Sequence, residues 1–167
     1  MRNAELVFTL TFAVIGCVHA QEQPTYTLPL SLANEAAMTA VQQCEDAGYR
    51  VTATVVDAAG TVKVIAKGDQ STPHTRDSSY RKAYTVATMA PIFKFDTTSQ
   101  WVVKLKDNPS APALASIPDV LPFAGGVAIR ARGQLVAAIG VGGAPGGEKD
   151  EICAQAGLSR IADGLPK

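Results

Sequence analysis

The sequence predicts an α+β domain: a mainly antiparallel sheet with helices layered on its faces. Two pairs of β-prone runs, 51–56 with 62–67 and 126–131 with 134–141, are each joined by a short turn that contains glycine. Stretches whose apolar residues recur at three- and four-residue steps flank these pairs. Hairpins join antiparallel neighbours, so the helices belong on the faces of the sheet rather than in crossovers between parallel strands.

Taken in order, residues 21–30 read as an extended lead-in, because Pro24 and Pro29 oppose helix. Ser31 is the expected N-cap of a helix reaching about Ala47. Ala33, Ala37, Ala40, Val41, Cys44 and Ala47 share one face of it, and Gly48 ends it. The first hairpin turns through Asp57-Ala58-Ala59-Gly60. In its second run Lys63, Ile65 and Lys67 alternate with Val62, Val64 and Ala66, the pattern of a half-buried strand. A helix follows over about 75–90. Thr75, Asp77 and Ser78 offer oxygen acceptors for its first N–H groups, and Pro91 is the expected stop. Residues 92–95 carry no clear signal. Thr97 with Gln100 resembles a capping box, and Trp101 and Leu105 stand one turn apart on a short helix. Residues 108–122 hold Pro109, Pro112, Pro118 and Pro122 and read as irregular: a functional loop, an oligomer contact or a plain surface crossing. The second hairpin turns at Arg132-Gly133, and its returning strand, 135–141, is apolar on both faces and so belongs in the middle of the sheet. A last helix spans about 148–162, with Glu148, Asp150 and Glu151 in its first turn, where the dipole favours anions.

The first twenty residues read as a leader. Arg2 opens it, 6–16 form an apolar run too short to anchor in a bilayer, and Val18-His19-Ala20 forms a cleavage site before Gln21. Val14-Ile15-Gly16-Cys17 also resembles a lipoprotein box, ranked second because leucine is usual at its first position. Both readings send a single domain, 21–167, out of the cytoplasm, to the periplasm or the medium. No apolar stretch after residue 20 is long enough to span a membrane. The whole chain carries a formal net charge of zero, and loss of Arg2 and Glu5 together leaves it there. Without a basic surplus, nucleic acid is not an expected partner. Cys44 and Cys153 remain after processing. They are either a disulfide closing a long loop or two small buried residues that never meet; no Cys/His cluster suggests zinc.

The glycines of 140–147 invite a phosphate-loop reading, but no Gly-Lys-Ser/Thr follows and Pro145 stands where a third glycine is needed. No GxSxG elbow accompanies His74, and Asp69 and Asp77 beside it serve equally well as turn and cap residues. No catalytic constellation emerges, so the sequence leans toward binding rather than catalysis. The richest stretch is 68–85, which holds His74, the histidine left in the mature chain, with Tyr80, Tyr84 and three basic residues. His74 reads either as a loop histidine bonded to backbone or as an axial ligand to haem iron. In the second reading Tyr80, Tyr84 and Met89 form an apolar wall, Arg76, Arg81 or Lys82 meets the propionates, and Tyr80, Tyr84 and Thr75 are the next ligand candidates after His74.

Gly68-Asp69 with Pro73-His74-Thr75, then Arg81-Lys82-Ala83-Tyr84-Thr85, then Gly125-Gly126-Val127-Ala128-Ile129 and Ile139-Gly140-Val141-Gly142-Gly143-Ala144, resemble the GlcG/HbpS family of small haem-binding proteins. Asp150 with Glu151 ahead of Ala154 and Gly157 fits the closing helix of that family. The resemblance implies a profilin-like α/β/α layered domain with a mainly antiparallel five-stranded sheet, commonly oligomeric. It also implies haem as cofactor, with a role in haem sequestration, handling or sensing, and His74 as the metal ligand. Ala128 stands where a proline is common and Gly142 where a serine is common. Two alternatives stay open: action on a small, glycolate-like organic acid clamped by Arg81 and Lys82, or a structural homo-oligomer without ligand.

Overall fold

The computed structural model describes residues 26–167; the expected leader 1–20, with its cleavage site and Cys17, lies outside the described residues. The first helix, α1 (Leu30–Asp46), starts just ahead of Ser31. Pro29, extended at φ −58° and ψ 145°, serves as its cap, and its carbonyl accepts the Ala33 N–H at 3.0 Å. Proline suits that position because the N–H it lacks would find no partner inside the helix.

Strands β1 (Thr52–Asp57), β2 (Val62–Lys67), β3 (Gly126–Ala131) and β4 (Gln134–Gly142) form one antiparallel sheet in the order β2-β1-β4-β3. The strand that is apolar on both faces, β4, is indeed internal, paired with β1 on one side and β3 on the other. The sheet has four strands, not the five that the family resemblance implied. The chain that passes the free edge of β3 makes one bridge, Thr97 with Val127, and one bond from Ala128 N–H to Asp96 O at 2.8 Å. It then turns away, because the Thr97 hydroxyl caps the Gln100 N–H and starts α3 (Thr98–Leu105).

Helix α2 (His74–Phe93) covers one face of the sheet; α1 and α5 (Gly147–Ile161) cover the other. The α1–α5 side is a core of Ala33, Ala37, Ala40, Val55, Ile129, Ile139 and their neighbours, and the disulfide Cys44–Cys153 crosses it. Of the two readings of the cysteines, the bridge is the one formed. On the opposite face, Val86, Ala90, Phe95 and Trp101 pack over Val56, Ala128 and Ala138. The sheet presents small residues there, and α2 lies very close: a Cβ on Gly140 would land on the Ser79 carbonyl oxygen. Gly140→Ala is therefore expected to destabilise the domain by about 1–3 kcal/mol, read by urea denaturation. An unchanged midpoint would mean that α2 can lift without cost.

The hydroxyls expected to cap α2 do other work. Pro73 occupies the cap position, and the helix begins at His74. Thr75 and Ser79 are buried against the sheet, with Thr75 Oγ1 2.7 Å from Thr52 Oγ1 and Ser79 Oγ 2.8 Å from Thr54 Oγ1. These pairs satisfy hydroxyls that would otherwise be costly to bury. Pro91 does not stop the helix either. One further half-turn, to Phe93, is held where Phe93 and Phe95 pack on Trp101, at centroid distances of 6.3 and 5.7 Å. Left-handed Lys94, at φ 54°, then ends it.

The proline-rich crossing contains a short helix, α4 (Ala111–Ala115), and is pinned to α2 by the Arg81 guanidinium bonding Val120 O at 3.1 Å. The Leu121 N–H adds a bond to Thr85 Oγ1 at 2.7 Å. Beyond α5 the chain makes one 3-10 turn, Ala162–Gly164. No helix among the described residues is long and apolar enough to cross a membrane.

Candidate functional site

The turn that follows β2 needs left-handed Gln70, at φ 61°, and brings the chain round to place His74 as the first residue of α2. His74 is exposed, and its Nδ1 lies 3.2 Å from Thr72 Oγ1. With the Nδ1 proton donated to that hydroxyl, Nε2 keeps its lone pair for a ligand. A depression of 560 Å³ opens here, lined by Lys67, Pro73, His74, Arg76 and Asp77. Lys67 Nζ is steadied by Ser71 O at 2.6 Å, and Arg76 bonds its exposed neighbour Asp77 at 3.0 Å. An exposed pair of that kind contributes little and opens readily.

Of the residues expected in one pocket, His74 and Arg76 come together, and Lys67, which the sequence did not single out, joins them. The others lie elsewhere. Thr75 is fully buried beneath the helix, and Met89 is in the core beside Val86 and Ala90. Tyr80 and Tyr84 form a tilted pair, half-buried, with ring centroids 5.7 Å apart. Partial burial raises the Tyr80 phenol above its usual range, with Asp119 and then Tyr84 adding to the shift. The Tyr84 ring lies against Gly60 in the β1–β2 turn, where a Cβ would meet its Cδ2 at 2.8 Å.

Lys82 is the largest departure. Its side chain is only 2% exposed and ends 2.6 Å from Asp150 Oδ2 and 2.9 Å from Val141 O. The Phe123 ring lies over the ammonium at 5.0 Å. Gly125, at φ 123°, leaves the space the ammonium needs: a Cβ there would stand 2.8 Å from Lys82 Nζ. Asp150 Oδ1 accepts the Ala144 N–H at 2.9 Å, so the glycine-rich connection before α5 has its own internal carboxylate where a bound anion would otherwise sit. Beside it Glu151 takes the Ser99 hydroxyl at 2.6 Å, the Ser99 N–H at 3.1 Å and the Gly125 N–H at 3.3 Å. Burial pushes the Lys82 ammonium down from its ordinary value and the Asp150 carboxyl up, and each shift is opposed by the charge of the other.

This pair ties α2, β4 and the start of α5 together, and it bears on the small-acid alternative. Lys82 is enclosed and paired, so one of the two proposed clamps is withdrawn from any ligand carboxylate, while Arg81 commits one guanidinium N–H to Val120 O. The sequence did hold a signal for the pair. Lys82 shares the face of α2 that Ser79, Val86 and Ala90 bury, and a lysine on a buried face needs an anion. Asp150 gave no comparable signal, because an acidic first helical turn is ordinary at a solvent-exposed end.

Comparison with known proteins places the chain. The family described as "Haem degrading protein HbpS-like" matches over residues 28–159. A crystal structure of HbpS from Streptomyces reticuli, as a double mutant, is 36% identical, covers 89% of this chain and 97% of its own, and superposes with a TM-score of 0.74. Klebsiella pneumoniae protein ORFY shares the fold at 22% identity, with 85% of this chain and 95% of its own covered and a TM-score of 0.75. PduOC, solved as a heme complex, does so at 22% identity, with 81% and 96% covered and a TM-score of 0.72. No curated protein matches the chain. With the family match spanning most of its length and 36% identity to HbpS over 89% of the chain, the chain belongs to the HbpS-like family.

Proposed function

We propose that this protein binds haem after export, with His74 as the iron ligand, and serves haem sequestration, handling or sensing. The observation that carries the proposal is the HbpS-like match over 28–159, joined to an exposed His74 set between two cations. The fit of the residues to haem is uneven. Nε2 of His74 would hold the iron, and Lys67 and Arg76 would meet the propionates, which favour charge-assisted bonds. Pro73 is the sole apolar side chain lining the depression, so the faces of the macrocycle need an apolar wall from outside it. We assign that wall to a second copy of the chain, which makes the binding form a homo-oligomer. Redox chemistry is what the iron would supply when bound; His74 would hold it, Lys67 and Arg76 would orient the ring, and no residue of the site is assigned a proton-transfer role.

Export is supported by the disulfide, since such bridges persist in oxidising compartments, and by the leader expected over 1–20. Titration of the mature protein with hemin is expected to give a saturable Soret shift that His74→Ala abolishes. A shift that survives in the variant would move the iron to another ligand; no saturable shift in either protein would sink the haem reading.

A further inference from the structure

A second concavity lies along the outer edge of β3, and none of its lining residues belongs to the His74 depression. Its volume is 610 Å³, within the range of about 300–1,000 Å³ usual for small-molecule sites. The floor is apolar: Val127 and Ala128 from β3, Leu158 from α5, and Leu165 and Pro166 from the closing tail. The groove exists because the segment at 96–97 reaches only Val127 and Ala128 of the β3 edge before turning into α3. Its far side is held by the Arg132 N–H bonding Pro166 O at 3.1 Å.

The rim is basic. Arg130, Arg132 and Lys167 line it with one acidic side chain, Asp96, which Arg130 Nε already binds at 2.7 Å. Arg132 is exposed on the hairpin turn, at φ 51°, and among the described residues no carboxylate pairs with its guanidinium. An apolar floor beneath an unneutralised guanidinium complements a ligand with an apolar body and a carboxylate. No histidine, cysteine, methionine or tyrosine lines the groove, so it has no usual ligand for haem iron.

We propose that this groove takes an iron-free tetrapyrrole carboxylate, its ring system on the Val127–Leu158–Leu165 floor and a carboxylate on Arg132. The ligand class rests on the haem reading above; the site does not rest on His74. The family is described as haem-degrading, and the two concavities differ in whether they offer a ligand to iron. One offers a metal ligand with little apolar wall, the other an apolar floor with no metal ligand.

The test is a titration of the mature protein with metal-free protoporphyrin IX, followed by porphyrin fluorescence, beside a hemin titration on the same proteins. Saturable protoporphyrin binding is expected, weakened about tenfold or more in Arg132→Glu, as loss of a charge-assisted contact implies. Ala162→Trp fills the groove from an exposed position and is expected to abolish binding. His74→Ala is expected to leave it unchanged while removing the histidine-ligation signature from the hemin spectrum. The proposal is overturned if no saturable change occurs, if Arg132→Glu and Ala162→Trp bind as tightly as the parent, or if His74→Ala loses protoporphyrin too. Displacement of protoporphyrin by equimolar laurate would also overturn it, giving the groove to chain carboxylates. Protoporphyrin bound without any hemin shift would instead remove the His74 reading and leave this one standing.

Discussion

Lys82→Met is expected to destabilise the domain by about 3–5 kcal/mol, because it strands a buried carboxylate whose partner stood 2.6 Å away. Asp150 would keep the Ala144 N–H but lose the charge that opposes its desolvation. Its pKa in the folded variant then stands further above that of an unfolded aspartate. The folded state therefore holds its proton more tightly than the unfolded state, and stability rises as the pH falls toward the ordinary aspartate range. The deficit of Lys82→Met should shrink as the pH falls from neutral toward the ordinary aspartate range. Asp150→Asn should behave in the opposite sense. It leaves an ammonium whose pKa burial already lowers, so the folded state sheds its proton more readily and the deficit should shrink as the pH rises. Urea unfolding of both variants across this range checks the pair. Parallel pH profiles would mean that the two groups are not each other's principal partner. A double variant with apolar residues at both positions should recover much of the loss, since a buried ion pair is often no better than well-packed hydrocarbon.

The second large effect is expected at the disulfide. Replacing Cys44 and Cys153 together by alanine should remove about 2–5 kcal/mol, since the bridge joins positions separated by 109 residues. The helices it joins meet through small groups: Ala33, Ala36, Ala37 and Ala40 on α1, with Ala154 and Gly157 on α5. Gly157 is needed for that approach, because a Cβ there would run into the Ala36 carbonyl. Close contact between alanines buries little area per residue, so the covalent tie has more to add than it would between leucine-rich helices. Thermal unfolding of the oxidised, reduced and double-alanine forms should place the last two together and well below the first. Equal midpoints for all three would show that the helix pair holds without the bridge.

Much of this architecture is legible in the sequence because period and turn chemistry speak locally. Thr97 announced its helix, Arg132-Gly133 its hairpin, and the apolar run of β4 its place inside the sheet. What misled was decided at a distance. Thr75 looks like a terminal cap until β1 is seen to place Thr52 beneath it. Pro91 looks like a stop until Trp101 supplies a surface for Phe93. The fifth strand was an inference from kinship, and a single capping threonine turned the chain away from that edge. At the candidate site the sequence pointed to His74 and Arg76 but pooled with them residues of the same helix that face other ways. Spacing four residues apart puts Tyr80 and Tyr84 on one face of α2 without saying what that face meets.

The strand order β2-β1-β4-β3 also dictates when the chain can finish folding. Strand β1 lies early in the sequence, yet one of its two neighbours is β4, with Thr52 opposite Gly142 and Asp57 opposite Ala137. The helix face opposite α2 likewise needs both α1 and α5, the first and last long elements. A nascent chain lacking its last thirty or so residues holds the first hairpin and α2 but cannot close the sheet or bury α1. High separation between partners slows folding and leaves strand edges unpaired meanwhile. Under the export proposed above, such delay would be an advantage: the chain would stay threadable until the C-terminal hairpin and helix arrive, and the bridge between α1 and α5 would then lock the topology.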